Sequence, residues 1–208
     1  MAYQVKVGVT TFQGDVEEHL LALREAMRRL NVKGEVVTAK LPEEIEQLDA
    51  VVIPGGESTV MGRLAQRSRS LDVLRRRILE GLPVLGTCAG LIFLASRVYD
   101  RVVGETRQPI LGVLDVTVER NSYGRQRDSF EVQITVPKLG REGFRAVFIR
   151  APSIVEVGPE VEVLARYQER PVAVRQGPIY GTTFHPELSG DTAFHEALIE
   201  EAVRFSKR

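Results

Sequence analysis

The chain has 208 residues, of which 43% are hydrophobic and 27% charged, and its 28 Lys and Arg balance its 28 Asp and Glu. A substantial core fits within that length, and the even charge excludes the global field that would favour nucleic acid, an anionic membrane or a highly charged substrate, so a small neutral or zwitterionic ligand fits better. The lone cysteine, Cys88, excludes an intramolecular disulfide framework and a multi-cysteine zinc site, and points to a reducing compartment.

From Met1 the chain runs straight into an apolar, strand-like segment without the charged region, apolar stretch or cleavage site of a secretory signal. No apolar stretch is long enough to span a bilayer, so the reading is of a full-length cytoplasmic protein. Hydrophobic spacing predicts a strand over Val5–Thr10, a helix over Val16–Leu30, a strand over 34–37 and a short helix over 41–48. Ala50–Ile53 follows as strand, then 60–79 as helix with a break, 83–86 as strand and 89–98 as helix. Such βαβα order predicts parallel strands with helices on both faces, and the wholly apolar Val51-Val52-Ile53 and Val84-Leu85 fit burial on both sides.

After about residue 105 the pattern becomes one of alternating strands, clearest in Phe130, Val132, Ile134 and Val136, which predicts an added antiparallel or mixed region. Residues 119–128 are polar, contain Gly124 and read as a loop presenting Arg120, Arg125 and Arg127. A final strand over 179–184 and a helix over 191–205, capped by Asp191, complete the pattern. With no internal repeat and no low-complexity linker, residues 1–208 are expected to form a single α/β domain. The Arg75-Arg76-Arg77 run reads as a solvated helix face rather than a nucleic-acid site.

Three short motifs each follow a predicted strand. Gly86-Thr87-Cys88-Ala89-Gly90 has the G-x-C-x-G form of a nucleophile elbow. Cys88 then stands at a helix start, where free N–H groups and the positive dipole end favour thiolate, and the Ala89 N–H is placed to meet an oxyanion. The plain alternative is a small buried hydrophobe flanked by glycines that serve packing. Pro54-Gly55-Gly56-Glu57-Ser58-Thr59 lies at another strand's carboxyl end, where open parallel sheets bind ligands. Gly55 and Gly56 permit a peptide N–H to turn toward a substrate oxygen, although, taken alone, the motif is better explained as a plain strand-to-helix turn with Ser58 or Thr59 as N-cap. In Phe184-His185-Pro186-Glu187-Leu188, Pro186 biases His185 to extended backbone, so that Glu187, two residues on, reaches its ring. A carboxylate on one ring nitrogen fixes the tautomer and leaves the other for proton exchange with Cys88. His19 and His195 fall in amphipathic helices without a partner motif and receive no role. No P-loop, dinucleotide fingerprint or metal-ligand cluster is present, and no cofactor or metal is expected.

GTCAG at 86–90 together with His185-Pro186-Glu187 resembles the class I, triad-type glutamine amidotransferases. The likeness is closer to the glutaminase subunits of pyridoxal 5'-phosphate synthases. It rests on Gln13-Gly14-Asp15 with Glu18-His19, on PGGEST at 54–59, on VERNSYGRQRDSFE at 118–131, on FIRAP at 148–152 and on FHPEL at 184–188. Thr10-Thr11-Phe12 and Tyr123 depart from the usual pattern without touching a triad position. The resemblance implies a flavodoxin-like three-layer sandwich, glutamine as substrate, and a catalytic triad of Cys88, His185 and Glu187. It also implies substrate contacts by Gly56, Glu57, Ser58, Arg120, Ile149 (through its backbone) and Arg150, and an oxyanion hole from Gly55, Gly56 and Ala89. Ammonia would pass to a separate (β/α)8-barrel synthase subunit in a large hetero-oligomer, for vitamin B6 biosynthesis. The rival readings are a glutaminase of another pathway, a peptidase or γ-glutamyl hydrolase of the same fold, and a non-catalytic redox sensor using Cys88.

Overall fold

The computed structural model describes residues 4–100, 104–120 and 129–207. Tyr123, Gly124, Arg125 and Arg127 lie outside the described residues. The chain opens with β1 (Val5–Thr10), α1 (Val16–Leu30), β2 (Gly34–Ala39), α2 (Pro42–Ile45) and β3 (Ala50–Ile53). It continues with α3 (Ser58–Arg67), α4 (Ser70–Leu79), β4 (Val84–Thr87) and α5 (Ala89–Leu94). The predicted break in the 60–79 helix falls at Ser68 and Arg69, where Arg69 adopts a left-handed backbone.

Beyond α5 come β5 (Ala95–Asp100), β6 (Gly104–Glu105), β7 (Leu114–Arg120), β8 (Ser129–Val136), β9 (Arg141–Ile149) and β10 (Ser153–Val157). The chain then forms β11 (Glu162–Tyr167), β12 (Arg170–Gln176), β13 (Ile179–Thr182) and α6 (Ala193–Phe205). Among the described residues, seven strands make the main sheet in the order β11-β12-β13-β4-β3-β1-β2. Its β2, β1, β3, β4 and β13 run parallel, while β12 and β11 extend it antiparallel. A second sheet, β10-β7-β5-β6, and the antiparallel pair β8-β9 form the added mixed region.

The strand pleat divides the core in two. In β3, Ala50 and Val52 join the cluster under α1 and α6, with Leu23 and Leu198, whereas Val51 and Ile53 join the one under α3, α4 and α5, with Met61 and Leu74. Successive residues thus serve opposite faces, which is why this strand reads as continuously apolar. In β8 the expected alternation holds, with Ser129, Glu131, Gln133 and Thr135 exposed and their neighbours turned inward. Among the described residues, no helix is long and apolar enough to cross a membrane.

Two sequence expectations are corrected. The helix expected over 89–98 ends at Leu94, because Ala95 turns extended and Ala95–Asp100 pairs in parallel with β7. Leu91 to Ala95 are all buried, and a short apolar run of this kind has no periodicity to separate helix from strand until its neighbours are known. Arg120, expected on a loop, is the last residue of β7, where Asp100 is its partner in β5. Elsewhere ends shift by a few residues: α6 starts at Ala193, whose N–H donates to the Asp191 carboxylate at 2.8 Å. The arginine run is on the α4 surface, with Arg76 paired to Glu46 and Glu80 and Arg77 donating to the Leu48 carbonyl at 2.6 Å.

Candidate active site

The parallel register decides where the motifs meet. Ile53, Thr87 and Thr182 close their strands at one edge of the sheet, and Gly86 pairs with both Ile53 and Gly181. The chain leaves that edge through the glycine turn, the Cys88 elbow and the Phe184–His185 segment, so side chains far apart in sequence converge.

Cys88 sits at φ 51° and ψ −104°, a strained conformation for a non-glycine residue, held by its N–H bonding the Thr182 carbonyl at 2.8 Å. The next turn packs close because Gly90 has no Cβ; one there would lie 2.0 Å from the Ile53 carbonyl oxygen. The Cys88 thiol faces the Ile149 carbonyl at 3.8 Å and is also a hydrogen-bond partner of His185. His185 is extended, at φ −101° and ψ 91°, and its Nδ1 bonds Glu187 Oε1 at 2.7 Å. The predicted pairing is therefore present, but by a different route: Glu187 reaches back from a short 3-10 turn, Pro186–Leu188, rather than along an extended strand.

His185 and Glu187 are both buried. Burial by itself pushes the His185 imidazolium pKa down, but the hydrogen bonds to Cys88 and Glu187, reinforced by their charges, carry it up to about 10. The ring therefore holds its proton at neutral pH. Gly55 is required beside it, since a Cβ there would lie 2.5 Å from His185 Cε1. Asp15, remote in sequence, approaches His185 Nδ1 at 3.6 Å, and the ligand atoms of Asp15, His185 and Glu187 lie within 4.8 Å of one another. No third group stands near His185 and Glu187 in the sequence; Asp15 arrives from the loop before α1.

A cleft of about 460 Å³ opens above Cys88, lined by Gln13, Asp15, Ala89, Ile92, Pro152 and His185 together with all six residues expected to bind substrate. Gly56, Glu57 and Ser58 form one wall, and Ile149 and Arg150, the latter left-handed at φ 46°, form another. The N-cap of α3 is Glu57 rather than Ser58 or Thr59: its carboxylate accepts from the N–H groups of Thr59 at 3.0 Å and Val60 at 2.8 Å. Burial would raise the Glu57 carboxyl, but those two N–H groups, the Thr59 hydroxyl and nearby Arg120 hold it below its ordinary value. Arg120 donates to Glu57 at 3.0 Å, to the Thr59 hydroxyl at 2.9 Å and to Gln108 Oε1 at 2.7 Å, while Gln108 in turn donates to Ser58 at 3.1 Å. Gln108 carries no motif that would have marked it. Gln13 accepts from the Glu57 N–H, and the Asp15 N–H donates to the Gly55 carbonyl at 3.4 Å, so the loop before α1 also braces the glycine turn.

The model of the SNO glutamine amidotransferase family matches residues 9–204. The chain belongs to that family. Among its relatives, the Aeropyrum pernix protein named pyridoxal 5'-phosphate synthase subunit PdxT is 49% identical over 205 residues, covering 96% of this chain and all of the other. The Ignicoccus hospitalis protein of the same name is 48% identical over 198 residues, covering 95% of this chain and all of its own. A solved structure described as a glutamine amidotransferase superposes with a TM-score of 0.81 at 43% identity, covering 95% of this chain and 98% of that one. The flavodoxin-like α/β fold of the family also extends to a Thermotoga maritima glutamine amidotransferase structure at 15% identity and a TM-score of 0.61, a likeness of fold alone.

Proposed function

We propose that this chain is the glutaminase subunit of a pyridoxal 5'-phosphate synthase, hydrolysing L-glutamine to L-glutamate and delivering the ammonia to a synthase subunit. The observation that carries this reading is the convergence of Cys88 and His185, the latter backed by buried Glu187, in a cleft that Arg120 also lines. The relatives named as PdxT support the pathway. The partner is a (β/α)8-barrel subunit within a large hetero-oligomer, the setting is the cytoplasm, and residues 1–208 act as one domain.

Glutamine enters with its α-carboxylate paired to the Arg120 guanidinium, whose fork matches that group. Glu57, Ser58, Arg150 and the Ile149 and Gly56 backbones complete the pocket. The Cys88 thiolate attacks the side-chain amide carbon; the S–C bond forms and the carbonyl π pair moves to oxygen, held by N–H groups of the Gly55–Gly56 turn and Ala89. The His185 imidazolium gives its proton to the departing nitrogen, and ammonia leaves a thioester. Neutral His185 then takes a proton from water, the resulting hydroxide adds to the thioester, and collapse releases glutamate and restores the thiolate–imidazolium pair. Glu187 holds the ring in the Nδ1–H tautomer throughout. Hydrolysis stays low until the synthase docks, with the orientation of the glycine-turn peptide as the switch.

Ammonia release from glutamine, by the chain alone and with the barrel subunit, tests the reading. Strong stimulation that vanishes in Cys88→Ala is the expected result. Cys88-dependent release without stimulation would remove the partner, whereas peptide hydrolysis without glutamine hydrolysis would replace the substrate.

A further inference from the structure

Behind Glu187, on the side away from the cleft, two histidines that the triad does not use are fully buried where α1 crosses α6. His19 Nδ1 lies 3.0 Å from His195 Nε2. The other nitrogen of His19, Nε2, lies 3.1 Å from the hydroxyl of Thr87, the residue before Cys88, and 3.3 Å from Glu187 Oε2. Glu187 therefore stands between two imidazoles: Oε1 holds His185 at 2.7 Å and Oε2 faces His19.

The protons decide what this arrangement does. Burial pulls His195 down to about 4, and burial, followed by the nearby His195 and His185, pulls His19 well below its ordinary value, so both rings are neutral near pH 7. Two neutral rings joined nitrogen to nitrogen share one proton in one of two senses. In the first, His195 donates from Nε2, and His19 carries its own proton on Nε2, pointing at Thr87 and Glu187. In the second, His19 donates from Nδ1 and turns a bare lone pair on the carboxylate. Glu187 Oε2 is buried, and among the described residues no donor meets it with full hydrogen-bond geometry. An N–H dipole stabilises that oxygen and a lone pair repels it. His195 Nδ1 also lacks a partner among the described residues. The first sense leaves it a bare acceptor and the second an orphaned N–H, the rarer situation in protein interiors.

We propose that His19 is a positioning residue for the triad: its Nε2–H, shared between Thr87 Oγ1 and Glu187 Oε2, fixes the carboxylate that orients His185, and His195 locks His19 in that tautomer. The triad thereby becomes one limb of a five-residue chain, Cys88–His185–Glu187–His19–His195, that joins the cleft to the α1–α6 contact. The inference rests on the glutaminase reading for its kinetic consequence but not for its geometry.

The test begins with nitrogen-15 histidine NMR on the full-length chain without substrate, where the three histidines of the sequence give three ring systems. His19 and His195 are expected as neutral Nε2–H tautomers. His19 in its Nδ1–H form, or charged at neutral pH, would overturn the proposal. Ammonia release by the complex with the synthase subunit is then compared for wild type, His19→Met and His19→Gln. Loss of a partner one shell removed from the reacting atoms predicts a fall in kcat of about tenfold or more for His19→Met with KM nearly unchanged. His19→Gln, whose amide N–H can replace Nε2–H, is expected to recover most of it. His19→Met with wild-type kcat, or a His19→Gln variant as slow as His19→Met, would count against positioning. If His19→Met does not fold, the wild-type tautomers still decide. A wild type that releases no ammonia refutes the glutaminase reading instead, and leaves the tautomer result standing.

Discussion

The two sides of Glu187 carry the same residue type in opposite states. On the cleft side His185 is raised to about 10, and on the core side His19 is held well below its ordinary value and His195 near 4. Burial acts in the same direction on all three rings, against the charged form. The difference comes from partners. His185 touches Cys88 and Glu187 through hydrogen bonds that favour its cation, whereas His19 faces a second imidazole and a hydroxyl, with Glu187 at the longer distance of 3.3 Å. One carboxylate balances one imidazolium, and a second cation behind it would be unmatched. The protein thus keeps a charged histidine against the cleft and a neutral pair against the core.

Removing the Cys88 sulfur on the cleft side is the strongest way to break this contrast. Cys88→Ala is expected to lower glutamine hydrolysis by at least about 10³-fold. It is also expected to drop the His185 pKa well below 10, because the thiolate hydrogen bond and charge are among the causes that raise it. Ammonia release and an imidazole NMR titration read the two effects; a His185 that still titrated near 10 would deny the thiolate its part. Next comes Gly55→Ala, whose Cβ would sit 2.5 Å from His185 Cε1. The ring must move, and misplacement of this order is expected to cost about 10²-fold in kcat with glutamine. Wild-type turnover would mean that the glycine turn yields instead of the histidine.

A smaller effect is expected across the cleft. Arg120→Lys keeps the charge but loses the planar fork, and is expected to raise KM for glutamine about tenfold with a lesser change in kcat. An unchanged KM would move carboxylate recognition to Arg150. The smallest effect is on stability against pH. His185, raised in the fold, contributes stability that is complete below its unfolded value of 6.5 and is lost as pH climbs through about 10. His195, lowered in the fold, contributes stability that is complete above 6.5 and is lost as pH falls toward about 4. Melting temperature should therefore decline on both flanks. Cys88→Ala is expected to flatten the alkaline flank and His195→Leu the acid one; flanks that do not respond in this way would separate the two sides of Glu187 from the pH dependence.

Much of the architecture was legible in the chain, for physical reasons that differ by region. Val5–Thr10 and Ala50–Ile53 are strands buried on both faces, Val16–Leu30 is a helix with a clear apolar stripe, and Ser129–Val136 alternates every second residue, so local pattern and final structure agree. Ala95 to Val98, expected as the end of the Ala89 helix, did not read correctly because the apolar run that leads into them has no period and the strand takes its form from its partner, here β7. The Cys88 elbow and the His185–Glu187 pair were legible because each is a contact within a few residues, where backbone geometry suffices.

The amino-acid sequence by itself determined the parallel α/β class, the strand-end positions of Cys88 and His185, and the family to which they belong. Only the tertiary structure decided that Glu57 caps α3 while pairing Arg120, that Gln108 braces that arginine, and that Asp15 and His19 stand on either side of the His185–Glu187 pair. The reason is separation: His19 meets Thr87 across 68 residues and His195 across 176. Neither contact leaves a local signature, because helical periodicity records only that His19 faces inward and says nothing of what waits there.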